Sequence, residues 1–332
     1  MSRKLTIRHE SWPIAGTFTI SRGSKTSAEV VVVEIAEGKA AGREIMGHGE
    51  CVPYARYGES IEGVIAEIEH HRVALEDGAG REAVQKLLKP GAARNAVDCA
   101  LWDLEAKASG KPVWKLAGLK QPRDLMTAYT LSLAAPEDMA LAAAQNLHRP
   151  LLKLKLSGPQ DLDRVRAVNA AAPQSKLIID ANEGWTIDDY RKLAPRLREL
   201  NVILIEQPLP AGDDEALRDV EKPIPICADE ACHDSTTLSA LVGKYQAVNI
   251  KLDKTGGLTE ALKMAKEAQA QGFQIMVGCM VATSLGMAPA FLIGQQSALV
   301  DLDGPLLLAK DRPHGFRFDG SFMHPCDAAL WG

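Results

Sequence analysis

Leu151-Leu-Lys-Leu-Lys155, Lys176-Leu-Ile-Ile-Asp180, Val202-Ile-Leu-Ile-Glu206, Ile224-Pro-Ile-Cys-Ala-Asp229 and Ala247-Val-Asn-Ile-Lys251 repeat one pattern, a short apolar run closed by a charged residue. From Lys153 the charged residues advance by 27, 26, 23 and 22 positions. A continuous apolar run of this length suits a strand buried on both faces of a parallel sheet. The stretches between, such as Asp161 to Ala171 and Ile187 to Leu200, read as helices. One strand, one helix and two loops take roughly 25 residues, so the period is that of a βα unit. The pattern predicts an α/β chain with a TIM-type (β/α) barrel, whose strand ends converge on one bowl where active sites are built. Five successive strands deliver Lys, Asp, Glu, Asp and Lys into that bowl. Buried charge without a partner is costly, so five in register point to a site.

Working outward, Met126 to Leu131 reads as the first barrel strand, carrying Thr130. Gln274 to Gly278 is the seventh and Leu299 to Leu302 the eighth, bearing Asp301 and Asp303. The chain before the barrel has another texture. Leu5 to His9, Thr17 to Ser21, Ala28 to Ala36 and Arg43 to Cys51 read as strands, the last two joined through a turn at Gly38 to Gly42. Ser60 to Leu75, Arg81 to Leu88 and Ala92 to Ser109 read as helices. The last has an apolar stripe at Ala96, Val97, Ala100, Leu101 and Leu104, and Gly110 as its stop. Strands followed by helices make an α+β domain. The expected division is 1–120 for that domain, 121–315 for the barrel and 316–332 for a segment that returns to the first domain.

Composition narrows the function. A chain of 332 residues with 46% apolar content and a net charge of −5 is an ordinary globular protein, with no electrostatic footprint for nucleic acid or anionic membrane. No apolar run approaches a membrane span, and Met1-Ser-Arg-Lys-Leu-Thr6 lacks a signal-peptide core, so the expected compartment is the cytoplasm. The six cysteines form no C-x-x-C pair and read as free thiols. Homo-oligomerisation stays open.

Lys153 and Lys155 are two apart on a strand and face the same side. The bland alternative is an edge strand with solvated lysines, against which stand the apolar neighbours Leu151, Leu152, Leu154 and Leu156. Singly, Asp180, Glu206 and Asp229 would read as helix caps or loop charges. Together, on three consecutive strand ends, they supply the all-oxygen shell that Mg²⁺ takes, and the lack of histidine argues against zinc. Asn182 and Glu230 adjoin these ligands and read either as residues that orient them or as surface-loop residues. Gly256-Gly257 reads either as an anion cradle or as a tight βα turn.

These residues resemble the muconate-lactonizing subgroup of the enolase superfamily. The resemblance rests on Lys153-x-Lys155, the Asp180, Glu206 and Asp229 triplet, Lys251, the Asn95-Ala-Val-Asp-Cys-Ala-Leu-Trp-Asp-Leu104 stretch and the Asp180-Ala-Asn-Glu-Gly-Trp185 loop. It spans essentially the whole chain and implies a capping domain at 1–120, completed by the C-terminal segment. Within the subgroup, Asp301-Leu-Asp303 resembles the motif of the dipeptide epimerases, where an acidic pair receives the substrate's ammonium. In that branch a capping loop that closes the bowl contacts the side chain of the second residue, which points to Arg22 or Lys25. One departure is Ala282, where many relatives carry Glu.

The resemblance implies Mg²⁺-dependent inversion of the Cα of a dipeptide's C-terminal residue. Lys155 and Lys251 would act from opposite faces, with Lys153 and Thr130 beside the substrate. Positive neighbours of Lys155 would lower its pKa toward that of a usable base. The expected dipeptide is Ala-Glu of the murein-peptide type. Two alternatives stand beside this reading. One is another chemistry of the subgroup, namely N-acylamino-acid racemisation, o-succinylbenzoate synthesis or cycloisomerisation. The other is a non-catalytic metal-binding barrel.

Overall fold

The computed structural model describes residues 3–40, 43–158 and 160–332. Val30 to Val33 places four β-branched side chains in a row, all buried. They lie in the central strand of an antiparallel sheet made of β1 (Lys4–Ile20), β2 (Gly23–Ala40) and β3 (Arg43–Cys51). The sequence divides the first strand in two, but the structure has one long strand with a register shift between Pro13 and Phe18. Pro13 cannot donate to the ladder, and Gly16 takes a φ of 95°. The expected turn at Gly38 to Gly42 includes residues 41 and 42, which lie outside the described residues.

One face of this sheet carries the helix Ala92–Ser109, which stops at Gly110 in the left-handed conformation, φ 66°. The contact is very close. Gly47 and Gly49 of β3 leave room for the main chain at Ala100 and Ala96, and no larger side chain would fit at either glycine.

The ring comes next. β4 (Leu125–Met126) precedes eight parallel strands: β5 (Tyr129–Leu131), β6 (Leu151–Lys155), β7 (Lys176–Asp180), β8 (Val202–Glu206), β9 (Ile226–Ala228), β10 (Ala247–Ile250), β11 (Gln274–Gly278) and β12 (Leu299–Asp301). Each pairs with the next in chain order. The Ala128 N–H donates to the Val300 carbonyl at 2.8 Å and joins the last strand to the first. This is the TIM-type barrel that the repeating runs predict. The shorter steps of 23 and 22 residues have a visible cause, because no full helix follows β8 or β9. A 3₁₀ turn at Glu215–Asp219 and a four-residue helix at Leu238–Leu241 stand in their place.

The first barrel strand is shorter than the sequence suggests. Met126 and Leu125 pair instead with β14 (Phe322–Met323), itself paired with β13 (Phe318–Asp319), forming a small floor under the ring. Thr127 breaks the run by donating its N–H to Ser321 O. Farther along the same segment, Trp331 Nε1 donates to Cys99 O at 3.0 Å and Gly332 N to Asp103 Oδ1 at 2.8 Å. The segment thus touches both the barrel and the long helix of the first domain. No helix among the described residues is long and apolar enough to cross a membrane.

Candidate active site

Parallel register brings the charged strand ends side by side. Lys155 pairs with Asp180 and Asp180 with Glu206 across β6, β7 and β8. Asp229 and Lys251 each sit one residue beyond β9 and β10, and Asp301 ends β12. β6 and β10 are the second and sixth of eight strands, so Lys155 and Lys251 project from opposite sides of the bowl. Lys153, Asp180, Glu206 and Asp229 are all at most 2% exposed.

Every one of these charges has a partner. Lys155 Nζ donates to Asp180 Oδ2 at 2.6 Å, and Lys251 Nζ to Asp229 Oδ2 at 2.6 Å. Lys153 Nζ lies 2.7 Å from Glu206 Oε2, 2.7 Å from Asp301 Oδ2 and 3.2 Å from Asp180 Oδ2. Desolvation of each ion costs several kcal/mol, and only this mutual pairing offsets it. Burial works against the ionised Asp180 and Asp229, yet Lys155 with Lys153, and Lys251 with Lys254, outweigh it and hold both carboxyls below their usual range. Burial and the Asp180 charge push Glu206 up to about 7. Lys251 is raised well above its usual value, because Asp229 and Glu206 outweigh burial. The sequence reading expects Lys153 and a bound cation as the positive neighbours of Lys155; the structure sets Asp180 between the two lysines, with Lys155 2.6 Å and Lys153 3.2 Å from its Oδ2.

The donor set fits a hard divalent cation. Asp180, Glu206 and Asp229 each offer a carboxylate oxygen, and these oxygens lie within 4.8 Å of one another. Glu206 Oε2 is buried with no hydrogen bond of good geometry, although Lys153 lies near it. An oxygen in that state is one that a cation would satisfy.

The bowl opens into a cavity of about 470 Å³ lined by Lys155, Asp229, Lys251, Asp301, Asp303 and Thr130, and closed above by Arg22, Tyr54 and Tyr57 of the first domain. Asp303 Oδ2 accepts the Thr130 N–H at 2.6 Å, and Asp301 Oδ1 is buried without a hydrogen bond. The Asn182 N–H donates to Asp180 Oδ1 at 3.0 Å, while its side chain lies 3.5 Å from Glu230 Oε1. Arg22 is heavily engaged, donating to Glu230 Oε1 at 2.8 Å, to Tyr54 at 3.1 Å and to Asn182 O at 3.2 Å. Lys25 instead lies 5.6 Å from the centre of the Tyr54 ring. Beside Ala282, the Thr283 N–H donates to Glu50 of β3, and Arg312 holds the same carboxylate.

Sequence reasoning missed two buried groups. Lys254 Nζ donates to Asp229 Oδ1 at 2.5 Å, and Asn249 Nδ2 to Glu206 Oε1 at 2.7 Å. The available signal was spacing, since Lys254 is one helical turn beyond Lys251 and Asn249 lies two before it.

Known proteins share this arrangement. Residues 2–118 match the Mandelate racemase / muconate lactonizing enzyme, N-terminal domain, and residues 137–328 the Enolase C-terminal domain-like family. L-Ala-D/L-Glu epimerase of Escherichia coli K12 is 45% identical over 97% of this chain and 99% of its own length. N-acetyl-D-glutamate racemase of a Pseudoalteromonas species is 47% identical over 91% of this chain and 95% of its own. Among solved structures, an enolase family member from Agrobacterium tumefaciens, described as homologous to dipeptide epimerases and bound to sodium and L-Ala-L-Glu, superposes with a TM-score of 0.97. It is 54% identical, over 99% of this chain and 100% of that one. The paired domains, the lysines facing each other across the bowl and these likenesses converge: the chain is an isomerase of the mandelate racemase / muconate lactonizing enzyme family in the enolase superfamily, and it resembles the dipeptide epimerases within it.

Proposed function

We propose that this protein is a Mg²⁺-dependent dipeptide epimerase that inverts the Cα of the C-terminal residue, with Ala-Glu as substrate. One observation carries the reading: two buried lysines face each other across a bowl whose far side presents Asp301 and Asp303. Two bases on opposite faces of one carbon suit inversion. Two carboxylates at the end of the cavity suit a free ammonium group.

Asp180, Glu206 and Asp229 would hold the cation, which would supply positive charge to stabilise an enediolate and to offset the carboxylates now paired with the lysines. One lysine, as the free amine, takes the Cα proton, and the electron pair of that C–H bond passes into the enediolate. The opposite lysine, as the ammonium, returns a proton to the other face. The configuration inverts, the two lysines exchange protonation states, and exchange with water resets them. Lys153 keeps a fixed ammonium beside the developing oxyanion. Asp301 and Asp303 orient the substrate through its amine, while Asn182 and Glu230 brace the ligands and the closing loop. Arg22 ties that loop to Glu230, and Lys25 is the cation left for an acidic side chain.

A second reading is N-acylamino-acid racemisation, favoured by the 47% identity to N-acetyl-D-glutamate racemase. Epimerisation of Ala-Glu, N-acetyl-Ala-Glu and N-acetyl-glutamate, measured side by side, separates the two. Charge-assisted hydrogen bonds to the ammonium contribute about 1.5–3 kcal/mol, so Ala-Glu should exceed both acylated compounds by roughly tenfold or more in kcat/KM. The reverse order would assign the protein to the acylated class.

A further inference from the structure

Lys155 and Lys251 are held by different means. Lys155 ends β6, where the ladder to β7 fixes its main chain. Lys251 lies past the end of β10 and opens a single helical turn, Leu252–Thr255. Its carbonyl accepts the N–H groups of Lys254 and Thr255, both at 3.0 Å, so turn and lysine move as one.

The long helix of the first domain grips that turn. Arg94 donates to Thr255 O at 2.7 Å and to Gly256 O at 3.1 Å. Asn95 Nδ2 donates to Asp253 Oδ1 at 2.8 Å, and the same oxygen accepts the Val52 N–H at 3.0 Å. Asp98 accepts the Thr259 N–H at 2.9 Å and its hydroxyl at 2.6 Å, at the start of the helix Leu258–Ala270. Arg94, Asn95 and Asp98 are 5%, 2% and 0% exposed, so these bonds are shielded from water. Gly256 and Gly257 belong to the same grip. Their φ values are 75° and 105°, and a Cβ on Gly257 would lie 2.6 Å from the Asp98 Cβ. Close approach to the capping helix accounts for both glycines and leaves no room for an anion cradle.

We propose that Arg94, Asn95 and Asp98 are positioning residues for Lys251, and so govern proton transfer on one face of the substrate only. This rests on the two-lysine reading above. A base displaced by about 1 Å can lose on the order of a hundredfold in rate. Loosening the grip displaces Lys251, whereas the β6–β7 ladder holds Lys155 regardless.

The test is deuterium uptake at Cα, followed separately for L-Ala-L-Glu and L-Ala-D-Glu in D₂O. Lys251→Ala identifies the isomer whose exchange depends on Lys251. Asn95→Asp, which sets a second carboxylate against Asp253, should slow that isomer by roughly tenfold or more and leave the other within about twofold. Combining Asn95→Asp with Asp253→Asn restores a donor–acceptor pair and should recover most of the loss. Arg94→Lys gives the same comparison if Asn95→Asp does not fold. Equal slowing of both isomers in a folded variant, or no slowing of either, overturns the proposal. A wild type that exchanges neither isomer overturns the two-lysine reading instead.

Discussion

Lys254 Nζ lies 2.5 Å from Asp229 Oδ1 and 2.6 Å from the Asp229 carbonyl oxygen, while Lys251 takes Oδ2. The carboxylate is therefore clamped from both sides, and Lys254 is 2% exposed. Breaking a buried pair from one side leaves an uncompensated charge and costs about 3–5 kcal/mol. Lys254→Met should lower the unfolding free energy of the metal-free protein, obtained from urea denaturation, by an amount of that order. A loss below about 0.5 kcal/mol would mean that the contact contributes no more than a surface pair.

The ligand assignment predicts that Asp229→Asn abolishes turnover while the fold persists, and that calorimetric Mg²⁺ binding weakens sharply. Excess chelator should silence the wild type in the same way. Full turnover in chelated, metal-free protein would remove the metal from the reaction.

Burial, and after it the Asp301 charge, pushes the Asp303 carboxyl up to about 7 from its usual 3.8. A folded value above the unfolded one means that its contribution to stability is complete below about pH 4 and is lost as pH rises through about 7. Asp303→Asn should therefore gain in Tm relative to wild type between about pH 5 and pH 8. For catalysis the sign is opposite, because only the ionised carboxylate attracts an ammonium. The kcat/KM for Ala-Glu should rise through about pH 7, and Asp303→Asn should flatten that limb. A limb unchanged in the variant would trace it to another group.

Asn182 and Glu183 both take left-handed φ values, 44° and 67°, which non-glycine residues rarely adopt. The Glu183 carboxylate is held by Arg56 at 2.9 and 3.0 Å and by the Ala211 N–H at 2.8 Å, so a residue of the first domain braces the strained loop beside Asp180. Arg56→Ala should raise KM several-fold. The pair is partly exposed, so stability should change by less than about 1 kcal/mol. An unchanged KM would show that the loop keeps its shape without Arg56.

The barrel was legible because a parallel strand covered on both faces has little choice of composition, and its terminal charge marks the bowl. Asp180, Glu206 and Asp229 could be named from three such runs. Lys254 and Asn249 could not, because their partners, Asp229 and Glu206, lie on other strands and become neighbours only once the sheet pairs. Met126 of the floor strand reads as part of the first barrel strand for a similar reason, since its partner, Phe322, lies far along the chain. The electrostatics were legible only in part. Spacing showed Lys153 near Lys155 but gave no measure of how tightly Asp180 holds Lys155 and Asp229 holds Lys251.

The ring is not equally strong around its circumference. β6 and β7 share five paired positions, while β12 and β5 meet through one main-chain hydrogen bond, Ala128 to Val300, among the described residues. Two side-chain bridges supplement it, Leu302 N to the Thr127 hydroxyl and Thr130 N to Asp303. Lys155 and Asp180 thus end the most fully paired strands, and Asp301 and Asp303 sit on the soft seam. Substitutions at the seam would therefore reach the cavity lining without unzipping a ladder. The bowl of this chain can therefore change shape at the eighth strand with less loss of main-chain pairing than at β6 or β7.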